Sequence, residues 1–510
     1  MRRLLPLCFM GLLALASCKS EPPREGKPAD AKAEGSKPSD EPPAQVESEG
    51  DATLGQWVGE LSLPGAQTLE WALWVQADDD GDGLALAKLW IPAQMVSGVP
   101  LGPPVVGADG SMKVQLAAVG ASWTIVPGPA PTCSFSQGGA EIPCTITSTD
   151  ANDFAAIANP ARPQTPKPPF PYAIEQLEIP NPEAPGVSLA ATLTVPEGPG
   201  PHPVAVMISG SGLQDRDETI ANHKPFWVIA DHLSRNGIAV LRYDDRGFGE
   251  SRGDPSNATL EDFASDTWAA AMAVAARPEI DGDRVGLIGH SEGGVIAPLV
   301  ASAHPEQIDF IVMLAGTGVT GSEVIIRQQR LILAASGADE ASIAIAEAEA
   351  RKLHAAVLAN TIETAPAALE KLLRAAVDEQ ASTEKPTPEQ LDATIEAQIT
   401  ALNSPWFRHF LGWDPAPVLA KLKLPVLVMA GDMDLQVDVE QNMAPIQAAL
   451  INNPAAEFVL LPGLNHLFQP ARTGAPDEYA MIEMTIEPAV LEELARWIRV
   501  TTKLDESGVE

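Results

Sequence analysis

The sequence predicts an α/β protein with a doubly wound, mostly parallel sheet, and three observations predict it. A series of apolar runs, VSLAATLTVP, PVAVMISG, GIAVLRYD, RVGLIGH, FIVMLAG, PVLVMAG and EFVLLPG, begins near Glu175. Most are continuous, as expected of strands buried on both faces. Helix-like segments, KPFWVIADHLSRNG, DFASDTWAAAMAVAAR and VIAPLVASAH, fall between them. One strand, Val285 to Ile288, runs into Gly289-His290-Ser291-Glu292-Gly293 and then into a helix expected from Val295. From Gly321 to about Trp413 the alternation stops. That segment is Ala-, Glu- and Leu-rich with helical periodicity and is too long for one crossover, so it reads as an inserted helical cap.

The chain has 510 residues, which favours more than one domain. Its net charge of -35, from 68 Asp+Glu against 33 Lys+Arg, fits a solvated acidic surface and argues against nucleic acid as a partner. At the start, Arg2 and Arg3 precede an apolar stretch from Leu4 to Ala16. It is too short for a membrane span and reads as a signal peptide over residues 1–18. Leu15-Ala16-Ser17-Cys18 resembles a bacterial lipobox. That resemblance implies cleavage before Cys18, lipidation of Cys18, and membrane association through the lipid in the cell envelope; Lys19 in the next position favours the outer membrane.

Residues 19–53 contain Pro, Glu, Lys, Ser and Ala without an aromatic, and read as a disordered tether. Residues 54–150 carry short alternating runs such as WALWVQA and LALAKLWI broken by Gly/Asp turns, the pattern of a small antiparallel β domain. Its Asp78-Asp79-Asp80-Gly81-Asp82-Gly83 run lacks the later Glu of a calcium loop and reads as a hairpin turn. Cys133 and Cys144 form one even pair in an exported chain, which predicts a disulfide; two buried free thiols are the alternative. Pro-rich residues 151–174 read as a linker, and residues 175–503 as the doubly wound domain with the cap at about 321–413.

The Gly-x-Ser-x-Gly turn between strand and helix fits a nucleophile elbow, which makes Ser291 the candidate nucleophile. A serine needs a base, and the base an orienting acid. After the strand PVLVMAG the loop carries Asp432 and Asp434, and after EFVLLPG the loop carries His466. Asp434, beyond the Gly431-Asp432 turn, is the preferred acid, with Asp432 nearer the strand end and placed to cap the loop. His466 is preferred over the seven other histidines, which precede the elbow, sit in it, end helices or lie in the cap. The oxyanion donors expected are the Glu292 N–H and one from the loop Ser209 to Leu213, with Ser211 first and Gly212 second. No spacing suggests a metal site, and no cofactor is implied. Asp215, Arg216, Asp217 and Arg246 read as charges tying loops together, the alternative being an arginine that holds a substrate carboxylate. Trp406, Phe407, Phe410 and Trp413 either line an acyl pocket or pack the cap.

From about residue 175 to 500 the chain resembles an α/β-hydrolase, in particular the bacterial group of serine aminopeptidase-like or dienelactone-hydrolase-like esterases. The motifs that carry the resemblance are GSGLQDRDE, LRYDDRGFGES, GHSEGG, SPWFRHFLGWDP, GDMDLQV and LNHLFQ. Ser209 departs from the His found in many relatives of the wider fold, which leaves a backbone donor in place. Residues 54–150 resemble the small β domain that precedes some bacterial hydrolase domains, including its late Gln137-Gly138-Gly139 turn. The expectation is a serine hydrolase that cleaves small-molecule carboxylic esters through an acyl-enzyme. A peptidase or amidase on the same triad is the alternative, and a non-catalytic envelope-binding protein is a third reading.

Overall fold

The computed structural model describes residues 55–63, 67–77, 85–94, 96–116, 120–137, 140–379 and 388–504. The signal peptide, Cys18, the tether, the Asp78 to Gly83 turn and Gly138-Gly139 lie outside the described residues. The described chain forms two compact units, one built largely from residues up to 158, the other from residue 159 onward. No described helix is long and apolar enough to cross a membrane.

The first unit contains β1 (Gly55–Leu63), β2 (Gln67–Ala77), β3 (Ala85–Ile91), β4 (Val96–Leu101), β5 (Val105–Val106), β6 (Met112–Leu116), β7 (Ala121–Val126), β8 (Thr132–Gln137), β9 (Ala140–Ile142) and β10 (Cys144–Ser148). They make two antiparallel sheets, β10-β1-β2-β3-β4 and β5-β6-β7-β8-β9. The alternation of β2 explains the arrangement: Trp71, Leu73 and Val75 join a shared core with Met112, Trp123, Ile125 and Phe135 of the other sheet. β2 and β3 are hydrogen-bonded neighbours, with Ala77 paired to Ala85. Cys133 and Cys144 form a disulfide, and since β8 and β10 belong to different sheets it joins one sheet to the other.

The segment expected to be a linker is structured. Helix α1 (Ala151–Ala158) belongs to the first unit, with Phe154 packed on Val58 and Ala72. In the second unit, the Arg162 guanidinium donates to the carbonyls of Ala221, Ala480 and Ile482, and Gln164 bonds Thr485 and Ile486. Proline there limits helix and sheet but leaves side chains free to anchor the backbone.

The second unit begins with β11 (Tyr172–Pro180), earlier than expected, followed by β12 (Ser188–Pro196), β13 (His202–Ile208), α2 (Pro225–Arg235), β14 (Ala239–Tyr243), α3 (Leu260–Ala275), β15 (Ile280–His290), α4 (Gly293–Ala303) and β16 (Phe310–Leu314). Five described helices come next: α5 (Gly321–Ala335), α6 (Glu340–Ala359), α7 (Ala365–Glu379), α8 (Pro388–Leu402) and α9 (Pro405–Gly412). The chain returns through α10 (Ala416–Leu419), β17 (Val426–Gly431), α11 (Val439–Ala449), β18 (Ala456–Leu461) and α12 (Pro488–Thr501).

The described sheet has the order β11-β12-β14-β13-β15-β16-β17-β18. The pairs β11/β12 and β12/β14 are antiparallel, and from β14 to β18 every pair is parallel. Continuous apolar runs are needed because alternate residues serve opposite faces. Val204, Val206 and Ile208 of β13 pack with residues of α3 and α4, whereas Ala205 and Met207 pack with residues of α2 and α12. Helix α5 starts where a capping box forms: Thr320 accepts from the Glu323 N–H, and the Glu323 carboxylate accepts from Thr320. The inserted helices have a core of their own, including Leu353, Val357, Leu369, Leu373, Ile395 and Leu411.

The disulfide closes a short loop, so its removal enlarges the unfolded ensemble of the first unit. Cys133→Ser with Cys144→Ser is expected to lower that unit's stability by about 2–3 kcal/mol. Calorimetry of the variant, beside wild type with and without reductant, checks this; equal transitions in all three would refute it.

Candidate active site

Three loops at the carboxyl ends of the parallel strands assemble the site, the place where open α/β sheets bind ligands. The first is the turn from β15 to α4. The helix begins at Gly293, two residues earlier than the expected Val295. Ser291 therefore lies between strand and helix, and its φ of 53 is left-handed, a conformation that strains a residue with a side chain. Its N–H donates to the Leu314 carbonyl of β16 at 2.8 Å, which pins the turn. Two glycines make the turn sterically possible. A Cβ at Gly289 would sit 1.9 Å from the Gly293 oxygen, and a Cβ at Gly293 would sit 2.2 Å from the Ile208 oxygen.

The second loop follows β17. Asp434 is 2% exposed, and its Oδ1 accepts the N–H groups of Gln436 at 2.7 Å and Val437 at 2.8 Å. These bonds fix the carboxylate and leave Oδ2 for His466. Asp432 faces elsewhere: its Oδ1 accepts the Gly463 N–H at 2.6 Å, tying the β17 and β18 loops together.

The third loop follows β18. His466 Nδ1 lies 2.7 Å from Asp434 Oδ2, so Nδ1–H is the donor and Nε2 holds the basic lone pair. Asn465, fully buried, shapes this loop by accepting the N–H groups of Leu467 and Gln469, each at 3.0 Å. The His466 carbonyl accepts from His290 Nε2 at 3.0 Å, which sets the loop against the residue preceding Ser291.

The loop after β13 lies beside the nucleophile, since a Cβ at Gly210 would meet Ser291 Cβ at 3.3 Å. Gly212 has φ +87, the conformation that calls for glycine. Ser209 donates to buried Asp245 at 3.0 Å, the Gln214 N–H donates to the same carboxylate at 2.8 Å, and the Gly210 N–H donates to Glu218 Oε1 at 2.7 Å. Ser211 and Gly212 thus sit in a loop anchored on both sides by buried acids.

The neighbouring arginines tie loops together. Arg216 makes a fork on Asp244 at 2.9 and 2.7 Å and reaches Glu250, while Arg246 bonds Asp266 at 2.6 Å. Of the aromatics at the end of the inserted segment, Phe407 and Phe410 are buried in its own core. Trp406, stacked on Phe410, donates its indole N–H to Glu292 Oε2 at 2.8 Å and so links α9 to the elbow. Sequence reasoning missed Glu218, Asp245 and Asn465. An Asn one residue before the candidate base is a turn signal that could have found the last; the two acids gain meaning only from distant partners.

Burial pushes the Glu292 carboxyl up to about 8, against the Trp406 hydrogen bond, and pushes Asp245 up to about 7 against the Gln214 and Ser209 hydrogen bonds. Glu292 is therefore largely uncharged near neutrality. An ionised carboxylate there would set a negative charge next to Ser291, and burial disfavours it.

This strand, elbow and loop arrangement is that of an α/β-hydrolase. Residues 211–471 match the family described as alpha/beta hydrolase fold, and the chain belongs to that family. It is 28% identical over 312 residues to esterase EstD of Thermotoga maritima, covering 61% of this chain and 65% of the esterase. It is 30% identical over 117 residues to the uncharacterized protein YfhR of Escherichia coli K12, covering 23% of this chain and 38% of that protein. The chain thus matches less than two thirds of the length of either relative. Among solved structures, the alpha/beta hydrolase GrgF from Penicillium sp. sh18 is 17% identical with a TM-score of 0.39, covering 64% of this chain and 99% of that one.

Glu292 also predicts a pH dependence of stability. Its carboxyl titrates near 4.5 when unfolded and near 8 when folded, so between these values the folded state holds a proton that the unfolded state has released. Stability therefore falls as pH rises across that window. Glu292→Gln keeps an acceptor for Trp406 and removes the ionisation. Its melting temperature is expected to exceed that of wild type by a margin that grows from about pH 5 to about pH 8. A margin independent of pH in thermal scans would contradict the assignment.

Proposed function

We propose that this protein hydrolyses small-molecule carboxylic esters through an acyl-serine on Ser291. The observation that carries this reading is the buried Asp434–His466 pair, 2.7 Å apart, held against a glycine-walled elbow. In this reading His466 Nε2 takes the Ser291 proton as Oγ attacks the ester carbonyl. Asp434 holds the ring and stabilises the imidazolium. The Glu292 N–H and one from Ser211 or Gly212 receive the oxyanion. His466 then protonates the departing alcohol. Water, deprotonated by His466, attacks the acyl-serine and releases the acid. The similarity to a Thermotoga maritima esterase supports the ester as the substrate bond.

Protein starting after Cys18 is expected to turn over p-nitrophenyl esters, with an optimum acyl length that sizes the pocket. Ser291→Ala should abolish turnover, and Asp434→Asn should lower kcat about 10⁴-fold. Absence of ester turnover, with Ser291 still labelled by a fluorophosphonate, would replace the ester by an amide and favour a peptidase or amidase. Failure to label would remove the catalytic reading.

We also infer that the chain is exported and held in the bacterial envelope, at the outer membrane, by lipid on Cys18. Leu15-Ala16-Ser17-Cys18 and the tether over residues 19–53 support this reading, with residues 54–150 carried ahead of the catalytic domain. Wild type should partition with membranes and Cys18→Ala should not; equal partitioning of the two would refute lipidation.

A further inference from the structure

One buried imidazole beside the nucleophile faces two acceptors. His290 Nδ1 lies 2.9 Å from Glu218 Oε1, and Nε2 lies 3.0 Å from the His466 carbonyl oxygen. A neutral imidazole has one N–H, so one of its nitrogens would set a lone pair against an acceptor. With Glu218 as the carboxylate, only the imidazolium satisfies both contacts. The same Glu218 oxygen accepts the Gly210 N–H at 2.7 Å. Glu218 is 1% exposed and His290 5%. Other ionisable groups around the pair are Asp434 and His466 from the loops after β17 and β18, and Asp245 from the loop after β14. Burial pulls the His290 imidazolium down, but Glu218, the His466 carbonyl and Asp434 outweigh it and raise it above its ordinary value.

The ester mechanism uses neither residue, yet the pair connects three of its parts. Glu218 holds the loop that carries Ser211 and Gly212. His290 precedes Ser291. The His466 backbone carries the base. Stability alone gives a poor account of such a pair, because a buried ion pair is often matched or exceeded by apolar side chains of similar volume.

We propose that Glu218 and His290 are positioning residues: a buried carboxylate–imidazolium pair that holds the oxyanion loop and the His466 backbone in register with Ser291. This rests on the proposed hydrolysis at Ser291. The pair moves no proton to or from substrate; its role is geometric.

The test uses the protein starting after Cys18, with p-nitrophenyl ester kinetics, the rate of fluorophosphonate labelling, and nitrogen NMR of labelled histidines. Wild type should show one histidine with both ring nitrogens protonated at neutral pH, and Glu218→Gln should lose it. Glu218→Gln should lower kcat and the labelling rate about 100-fold, with KM little changed. The double variant Glu218→Leu, His290→Leu separates positioning from stability. It should recover the wild-type melting temperature while kcat and labelling stay low. Full activity in either variant, or no doubly protonated histidine in wild type, would overturn the proposal. Turnover surviving in Ser291→Ala would instead overturn the ester reading and leave the histidine signature intact.

Discussion

The left-handed backbone of Ser291 is the constraint on which the rest of the catalytic unit depends. A serine in that conformation is disfavoured by about 1–3 kcal/mol and persists only where its surroundings leave no alternative. Here those surroundings are specific. Gly289 and Gly293 approach each other too closely for any side chain, Gly293 lies against the Ile208 carbonyl, and the Ser291 N–H is held by Leu314. Those contacts require β15 to lie between β13 and β16, which is the order of the sheet. The doubly wound topology, its continuous apolar strands and the strained serine are thus one solution to one packing problem.

Around this turn, charge survives only where it is matched. Asp434 is ringed by two amides and an imidazole, Glu218 by an amide and an imidazole, Asp244 by the Arg216 fork and Asp266 by Arg246. Asp245 and Glu292 have only neutral donors, and burial pushes both toward the protonated form. A buried carboxylate without a cation neutralises itself by holding its proton. The result places acids with imidazole partners at His290 and His466 and an acid pushed toward its neutral form beside Ser291. That arrangement suits the oxyanion of the proposed hydrolysis.

The parts legible in the sequence are those fixed by local rules. Strands β13, β16 and β17, and β15 from Val285 to Ile288, are apolar because both faces are covered, so composition alone reveals them. Asp434 was separable from Asp432 by its place beyond the turn, and the structure gives the two carboxylates different partners. Strand β11 was missed because it alternates, lies at the sheet edge and follows a proline-rich run. Helix α1 was hidden by the same prolines. Glu218 had no local signature: its partner His290 is 72 residues away, and its importance comes from the strand order. His290 sits in the elbow and is passed over as the base, yet its ring bonds the backbone of His466.

The inserted helices add a second layer of control. They have a core of their own, including Leu353 and Leu411. Among the described residues, Trp406 donates to Glu292 of the elbow. Glu292 therefore has two faces in the proposed reaction: a backbone N–H proposed for the oxyanion, and a side chain bonded to the inserted helices. In the proposed hydrolysis a change at Trp406 would reach the residue whose amide is proposed to receive the oxyanion, so the inserted helices and that donor are coupled through this side chain.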